Sequence, residues 1–151
     1  MSASVLTGVM STQTLLDTAA AADGVTERVD AVASLDERAR RRASERPPEQ
    51  PGRYLEVQGH ERSLVLELGE EPVHIGRGHT ADLHLDESSV SRRHAIILAR
   101  PSGARILDES SSNGTFVNGR RVQQADLSDG DVIVIGRVVL RYLEIPPQRT
   151  S

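Results

Sequence analysis

Cysteine and lysine are both absent from the 151-residue chain, and aromatic residues make up only 2% of it. Without cysteine the chain forms no disulfides and has no thiolate metal sites. We also predict no metal site of another kind and no cofactor. All 18 basic residues are arginine. Lysine therefore cannot supply a positive charge to a phosphate, and planar guanidinium groups, which can donate two parallel hydrogen bonds, must do so instead.

Long apolar runs are missing as well. No run approaches the roughly 20 residues that span a bilayer, and the first ten residues lack the basic and apolar regions of a signal peptide. We therefore expect a cytoplasmic protein without membrane contact. The formal net charge of -4 argues against nucleic-acid binding by the chain as a whole.

Composition divides the chain into five segments. Residues 1–24 are rich in Ser, Thr and Ala and predict a mobile N-terminal arm. Residues 25–45 carry apolar residues near helical spacing and predict one weak amphipathic helix. The proline-containing residues 46–52 predict a linker and hence the domain boundary. A folded domain is expected over residues 53–145, followed by a disordered tail over residues 146–151.

The folded domain is predicted to be an all-β sandwich. Short apolar runs alternate with turn residues, and no convincing helix interrupts them, which is typical of antiparallel sheets. The pair Asn118-Gly119 tolerates positive φ at both positions and predicts a two-residue hairpin. Nine strands are predicted, over residues 54–57, 63–68, 73–75, 83–85, 95–99, 105–107, 115–117, 132–135 and 138–143.

Three polar islands interrupt these strands. They are Gly76-Arg77, the stretch from Ser91 to His94, and the stretch from Ser112 to Thr115. Each lies next to a strand-like run, so each is expected in a loop. A guanidinium, a hydroxyl and an amide on neighbouring loops suit a tetrahedral oxyanion that is attached to a peptide backbone.

In this order and at this spacing, the motifs GR, SRRH, SxNGT and NG resemble the forkhead-associated (FHA) domain, over about residues 54–144. The resemblance implies an FHA-type sandwich of two twisted, mostly antiparallel sheets whose loops bind phosphothreonine peptides. It further implies a bacterial signalling protein with a single FHA domain. Its partners would be phosphothreonine-containing proteins that are substrates of a Ser/Thr kinase or include the kinase.

The resemblance also implies roles for five residues. Arg77 would grip the phosphate, and the hydroxyl of Ser91 would donate to a phosphate oxygen. Arg92 would add a contact to the phosphate or peptide, Ser112 would lie beside the threonine methyl, and Asn113 would fix the peptide backbone.

Other matching positions are implied to support the site: Gly76, His94, Gly114, Asn118 and Gly119. Among them, His94 is expected to brace the loops rather than to touch the ligand. Some family members carry a basic residue two positions before the serine, where it selects an acidic residue three places after the phosphothreonine. Here that position is Ser89, so no such preference is expected.

Other functions fit the sequence less well. A hydrolase triad built on Ser91 and His94 is disfavoured because the Gly-x-Ser-x-Gly elbow is absent, and we expect no enzyme activity. The arginines at 40–42 lie between Glu37 and Glu45 without an aromatic platform, which favours a solvated helix end over a nucleic-acid site. A scaffold that binds proteins independently of phosphate stays open as the alternative.

The N-terminal arm adds a hypothesis about regulation. Some bacterial family members bind their own phosphorylated N-terminal threonine and thereby block their partners. The arm contains several threonines, of which Thr14, followed by Asp17, and Thr26, followed by Glu27, are the better candidates for phosphorylation. Self-binding of the phosphorylated arm is therefore predicted as one means of control.

Overall fold

The computed structural model describes residues 28–147. The predicted arm, including Thr14 and Thr26, lies outside the described residues, as does most of the predicted tail. The described part has two short helices, α1 (Ala31–Ser34) and α2 (Glu37–Arg42). Neither helix is long and apolar enough to cross a membrane.

Eleven strands follow the helices in the described part of the chain. They are β1 (Gly52–Gln58), β2 (Ser63–Leu68), β3 (Val73–Gly76), β4 (Leu83–His84), β5 (Ala95–Ala99), β6 (Ala104–Asp108), β7 (Thr115–Val117), β8 (Arg120–Val122), β9 (Gln124–Leu127), β10 (Val132–Ile135) and β11 (Val138–Ile145).

The strands form two sheets, which confirms the predicted sandwich. The larger sheet has the order β2-β1-β11-β10-β7-β8, and the smaller has the order β4-β3-β5-β6-β9. All paired strands are antiparallel except β3 and β4. Apolar side chains fill the space between the sheets, and Ile133, Ile135, Leu140 and Tyr142 are fully buried there. Each such side chain contributes about 1.5–3 kcal/mol of stabilisation.

The predicted two-residue hairpin joins β7 to β8. Asn118 and Gly119 have φ values of 52° and 81°, and Val117 pairs with Arg120 across the turn. Both central residues are therefore left-handed, as a type I′ turn requires. The Asn118 side chain also accepts from the backbone nitrogen of Val132, at 2.9 Å, and so ties the turn to β10.

The N-terminal segment differs from the predicted single helix over residues 25–45. Asp30 caps α1 and Asp36 caps α2, each accepting a backbone N–H three residues on. Between the helices Leu35 is extended, with ψ 142°, and it pairs with Leu85. The helix is interrupted because Leu35 is drawn into the core, where it is 5% exposed.

This segment, residues 28–46, is here called the strap. Its side chains join the same hydrophobic core as the two sheets, with Ala31, Val32 and Ala39 all buried. Ser44 exchanges two backbone hydrogen bonds with Val65 of the edge strand β2. The strap is therefore part of the folded domain, and the domain boundary predicted at residues 46–52 is wrong. The proline stretch is a surface connection between the strap and β1.

Strand direction gathers four connections at one end of the sandwich. Antiparallel pairing places the end of β3, the start of β5 and the end of β6 at the same edge of the smaller sheet. The start of β7 pairs with the end of β10, which leads into the β10–β11 turn. We call this the loop end. The strap reaches it as well, because the Val29 nitrogen donates to the Arg137 carbonyl at 3.0 Å.

Candidate functional site

Arg77 follows β3 on the first loop of the loop end. Its backbone nitrogen donates to the Ser91 carbonyl at 2.9 Å, and its Nε donates to the Val90 carbonyl at 3.0 Å. Two bonds thus fix the base and the stem of this exposed side chain. Both Nη groups lack a partner among residues 28–147, so the guanidinium can donate them to an anion.

The approach of the first two loops depends on Gly76. A side chain at this position would collide with the backbone carbonyl of Arg92. Glycine therefore permits the β3–β4 loop to lie directly against the β4–β5 loop. The resulting contact continues through Gly78, whose nitrogen donates to the same Arg92 carbonyl at 3.1 Å.

Ser91 lies on the β4–β5 loop and links it to the β6–β7 loop. Its Oγ accepts the backbone N–H of Ser112 at 2.9 Å. Because that contact uses Oγ as an acceptor, the hydroxyl hydrogen of Ser91 stays available for donation to another group. Ser112 itself is exposed beside it.

His94 is fully buried behind these loops. Its Nδ1 lies 3.0 Å from the Ser91 nitrogen, and its Nε2 lies 2.8 Å from the Gly114 carbonyl. A backbone N–H needs an acceptor and a carbonyl needs a donor, so the ring is neutral with its hydrogen on Nε2. Burial lowers the pKa of His94, against the opposing effects of the Gly114 bond and the Asp108 charge. The ring therefore bridges the two loops in its uncharged form.

Asn113 lies on the β6–β7 loop and is half-buried. Its Nδ2 donates one hydrogen to the Ser89 carbonyl at 2.8 Å. The second Nδ2 hydrogen and the Oδ1 acceptor have no partner in the described part of the chain. They are the two groups that a peptide N–H and C=O would need. The next residue, Gly114, has φ 87° and turns the chain into β7.

The sequence did not single out a carboxylate that holds the β6–β7 loop in shape. Asp108 Oδ1 accepts from the hydroxyls of Ser111, at 2.5 Å, and Thr115, at 2.7 Å. The Ser111 hydroxyl in turn accepts from the Gly114 nitrogen at 3.0 Å. Burial acts to raise the pKa of Asp108, but the bonds from Ser111 and Thr115 outweigh it and lower that pKa overall. Asp and Ser side chains commonly hydrogen-bond the local backbone in turns, so Asp108 before the serines at 110–112 could have indicated the network.

Arg92 and Arg93 lie on the open side of the β4–β5 loop. Both side chains are exposed, and neither has a polar partner among the described residues. A cavity of about 300 Å³ opens beside them. Its lining consists of His74, Ile75, Thr80, Ala81, Arg92, Arg93 and Glu109.

The structure thus brings Arg77, Ser91, Arg92, Ser112 and Asn113 together at the loop end. It places Gly76, His94 and Gly114 directly behind them. Asn118 and Gly119 lie elsewhere, because β7 carries the chain from Gly114 to the opposite end of the sandwich. Their contacts stabilise the β7–β8 hairpin and do not reach the site loops.

Comparison with known proteins identifies this arrangement. The model of the family described as FHA domain matches residues 73–136. The oxoglutarate dehydrogenase inhibitor of Corynebacterium diphtheriae is 32% identical over 100 residues, which cover 66% of this chain and 70% of that protein. The chain belongs to the FHA domain family. The matched region contains all five residues that converge at the loop end, whereas the strap precedes it.

Two mycobacterial relatives share the FHA region over a smaller part of their length. The ABC transporter ATP-binding/permease protein Rv1747 of Mycobacterium tuberculosis is 45% identical over 81 residues, covering 54% of this chain and 9% of that protein. The glycogen accumulation regulator GarA of the same organism is 40% identical over 73 residues, covering 48% of this chain and 45% of that protein. The chain therefore spans less than half the length of either relative.

Solved FHA structures share the fold. One, from a structural and functional analysis of phosphothreonine-dependent FHA domain interactions, has a TM-score of 0.57 and 37% identity. It covers 62% of this chain and 97% of that one. Another, Mycobacterium tuberculosis EmbR in complex with a low-affinity phosphopeptide, has a TM-score of 0.56 and 31% identity. It covers 68% of this chain and 27% of that one.

Proposed function

We propose that this FHA protein is a non-enzymatic adaptor that binds phosphothreonine peptides at the loop end. The observation that carries the proposal is the convergence of three unused groups on three loops. These are the Nη groups of Arg77, the hydroxyl hydrogen of Ser91 and the free amide groups of Asn113. His94 holds the second and third loops together by bonds to both.

The chemistry of the ligand fits these groups. A phosphothreonine carries a charge of about -1.5 to -2 at neutral pH and three acceptor oxygens. Arg77 and Ser91 donate to the phosphate, Arg92 adds a second positive charge, and Asn113 binds the backbone of the peptide. Each charge-assisted hydrogen bond contributes about 1.5–3 kcal/mol.

Threonine is preferred to serine in this proposal. The β-methyl group of phosphothreonine lies against Ser112 and its neighbours, and burying one methyl contributes about 0.8 kcal/mol. Phosphoserine peptides should therefore bind about fourfold more weakly. The phosphothreonine-dependent FHA interactions of the related structure support this class of ligand.

The partners proposed are proteins phosphorylated by a Ser/Thr kinase in the cytoplasm, where ATP supplies the phosphoryl group. The basic residue that in some family members selects an acidic peptide side chain is replaced here by Ser89. We therefore propose no preference for an acidic residue three places after the phosphothreonine. Side chains next to the phosphothreonine can instead enter the cavity beside Arg92 and Arg93. We therefore propose that this cavity determines which residues are preferred next to the phosphothreonine in the peptide.

A library of peptides with a fixed phosphothreonine and randomised neighbours tests the function. The wild-type protein should retain a phosphorylated subset and ignore the unphosphorylated library, and Arg77→Ala should lose that selection. Exposed Arg62, on the β1–β2 turn and paired with Glu45 at 3.0 Å, supplies the matched control Arg62→Ala. Equal retention of both libraries would instead establish a phosphate-independent scaffold.

Self-binding of the arm is the form of control that we propose. The strap is fixed at Val29 against Arg137 of the β10–β11 turn, so the arm joins the domain at the loop end itself. Thr14 precedes Val29 by about 15 residues, which reach up to roughly 50 Å when extended. Thr26 is only about three residues away and reaches roughly 10 Å. Phosphorylated Thr14 therefore has the wider access to Arg77 and Ser91.

Self-binding of a tethered threonine is intramolecular, so its strength does not depend on the protein concentration. A protein phosphorylated at Thr14 should bind an added phosphothreonine peptide at least tenfold more weakly than the unphosphorylated protein, at any protein concentration. Thr14→Ala treated with the same kinase provides the control. Undiminished binding by the Thr14-phosphorylated protein would refute self-binding through Thr14 while leaving phosphopeptide recognition intact.

A further inference from the structure

Ser89, two positions before the phosphate-binding serine, has hydrogen bonds from all of its polar groups. Its carbonyl accepts from Asn113 Nδ2 at 2.8 Å, and its Oγ accepts from the Arg137 nitrogen at 2.9 Å. Its backbone nitrogen donates to Glu87 Oε2 at 2.8 Å, and its hydroxyl donates to the same oxygen. Ser89 thus joins the β4–β5 loop to the β6–β7 loop and to the β10–β11 turn.

The two residues that bond Ser89 on either side, Glu87 and Arg137, also form an ion pair with each other. The Arg137 guanidinium contacts Glu87 by one bond of 3.0 Å to Oε1 and two of 3.3 Å to Oε2. The Glu87 side chain is only 11% exposed and that of Arg137 is 31% exposed. Burial acts to raise the pKa of Glu87, but the bonds from Ser89 and Arg137 lower it overall. The Glu87 side chain is therefore a carboxylate at neutral pH.

The β10–β11 turn packs tightly against Ser89. Gly136 has φ 60°, and a Cβ on it would collide with both the backbone and the side chain of Ser89. The β10–β11 turn consequently lies directly against Ser89, with no side chain between them. Moving either Arg137 or Glu87 therefore moves Ser89, and with it the carbonyl that holds Asn113.

We infer that Glu87, Ser89 and Arg137 are positioning residues, which orient the Asn113 amide for the bound peptide without touching the peptide themselves. The inference rests on the phosphopeptide-binding function proposed above. The bond from Nδ2 to Ser89 fixes which way the amide faces, so Oδ1 always meets a peptide N–H. Without that bond the amide can rotate and present the wrong group.

The same network explains why Ser89 does not select a peptide residue. In this protein its hydroxyl and its backbone groups are committed to Glu87, Arg137 and Asn113. The position that could carry a selecting side chain serves instead to connect the loops. The strap meets this network too, since Val29 donates to the Arg137 carbonyl.

The test uses the full chain and the tightest-binding peptide that the wild type selects from the phosphothreonine library. Arg137→Ala and Ser89→Ala should each weaken binding about tenfold, the loss of roughly one hydrogen bond to the peptide. Arg137→Lys, which keeps a positive charge near Glu87, should recover part of the loss. Arg105→Ala is the matched control, because Arg105 forms a similar pair with Asp126, at 2.8 Å, away from the site. It should change affinity less than twofold.

A double-mutant cycle separates positioning from general destabilisation. If Arg137 acts through Asn113, then Arg137→Ala should cause no further loss in the Asn113→Ala background. In parallel, the side-chain amide resonances of Asn113 in NMR spectra should shift in Arg137→Ala and stay in place in Arg105→Ala. If Arg137→Ala fails to fold, Glu87→Gln takes its place in both measurements.

Two results would overturn the inference. One is unchanged peptide affinity in the Arg137 or Glu87 variants, and the other is a loss that adds in full to that of Asn113→Ala. If the wild type selects phosphorylated peptides and these variants bind them as tightly as the wild type does, only the positioning role is refuted. A wild-type protein that selects no phosphorylated peptide would overturn the proposed function itself and the positioning role with it.

Discussion

The Nδ1 atom of His94 lies 3.0 Å from the backbone nitrogen of Ser91 and accepts its hydrogen. This contact requires an unprotonated Nδ1 on a ring whose other nitrogen already donates to Gly114. Because both ring nitrogens are hydrogen-bonded, His94 stabilises the β4–β5 and β6–β7 loops only while its imidazole is neutral. The stability of the domain therefore depends on pH in a predictable direction.

Stability should fall as the pH drops through the ordinary histidine range. Burial holds the pKa of His94 below its usual value of 6.5, so between the two values the unfolded chain binds a proton that the native state does not. The free energy of unfolding consequently decreases as the pH falls below about 6.5. Urea denaturation of the wild type between pH 7.5 and pH 5 measures the slope. His94→Asn should have a flatter slope than the wild type, and equal slopes in the two proteins would contradict the account.

The carboxylate of Asp108 predicts a second dependence, at acidic pH. Although burial acts to raise its pKa, the Ser111 and Thr115 hydroxyls lower that pKa below 3.8 overall. Its stabilisation is therefore complete well above pH 3.8 and is lost as the pH falls below that value. Asp108→Asn keeps the shape but removes the charge, so it should destabilise the protein by about 1–2 kcal/mol at pH 7. Its unfolding free energy should then change less than that of the wild type between pH 5 and pH 3, and an identical acid profile would refute this role.

The strap should contribute to stability as part of the core. Leu35 packs opposite Leu85, and the two side chains are 5% and 0% exposed. Leu35→Ala should therefore cost about 2–5 kcal/mol of unfolding free energy, as buried leucine truncations do. Arg42→Ala, at an exposed position of the same strap, should change it by less than about 0.5 kcal/mol. Chemical denaturation of both variants decides, and a Leu35→Ala protein as stable as the wild type would show that the strap is dispensable.

Removal of the whole strap extends this prediction to the site. The strap holds the β3–β4 loop through a bond from Arg38 Nη2 to the Ala81 carbonyl, at 3.1 Å. It holds the start of the β4–β5 loop through a bond from the Asp86 nitrogen to the Ser34 carbonyl, at 2.8 Å. A chain that begins at residue 47 should unfold at lower urea concentration than one that begins at residue 28 and should bind phosphothreonine peptides more weakly. Equal stability and affinity of the two chains would contradict the strap's role.

The sequence predicted the strands of the domain well where apolar residues alternate or cluster. All nine predicted strands are present, with ends that shift by a few residues. Two strands were missed, β8 and β9, because Arg120-Arg121 and Gln124 give no apolar pattern. Both lie at the edges of the sheets, where solvent replaces a neighbour and polar side chains are tolerated.

The strap was harder to predict, because its apolar residues fit two descriptions equally well. Val29, Val32 and Ala39 recur near helical spacing, which favours one helix. The structure instead uses Asp30 and Asp36 to start two separate turns and extends Leu35 between them into the core. Tertiary packing overrides the local periodicity here, and nothing in the local pattern reveals that Leu85 lies opposite Leu35.

The candidate site was predictable as a set of residues but not as a network. The motifs indicated Arg77, Ser91 and Asn113, and the structure places them on adjacent loops. The sequence offered no sign that Glu87 and Arg137, 50 positions apart, would pair and hold Ser89. Contacts between distant loops depend on strand order, which these residues do not encode locally.

Isothermal titration with one peptide in two forms tests the central claim most directly. A peptide selected by the wild-type protein is synthesised with phosphothreonine and with unmodified threonine at the same position. We predict saturable binding of the phosphorylated form, at least tenfold weaker binding of it by Arg77→Ala, and no measurable binding of the unmodified form. Equal affinity of the wild type for the two forms would contradict the account.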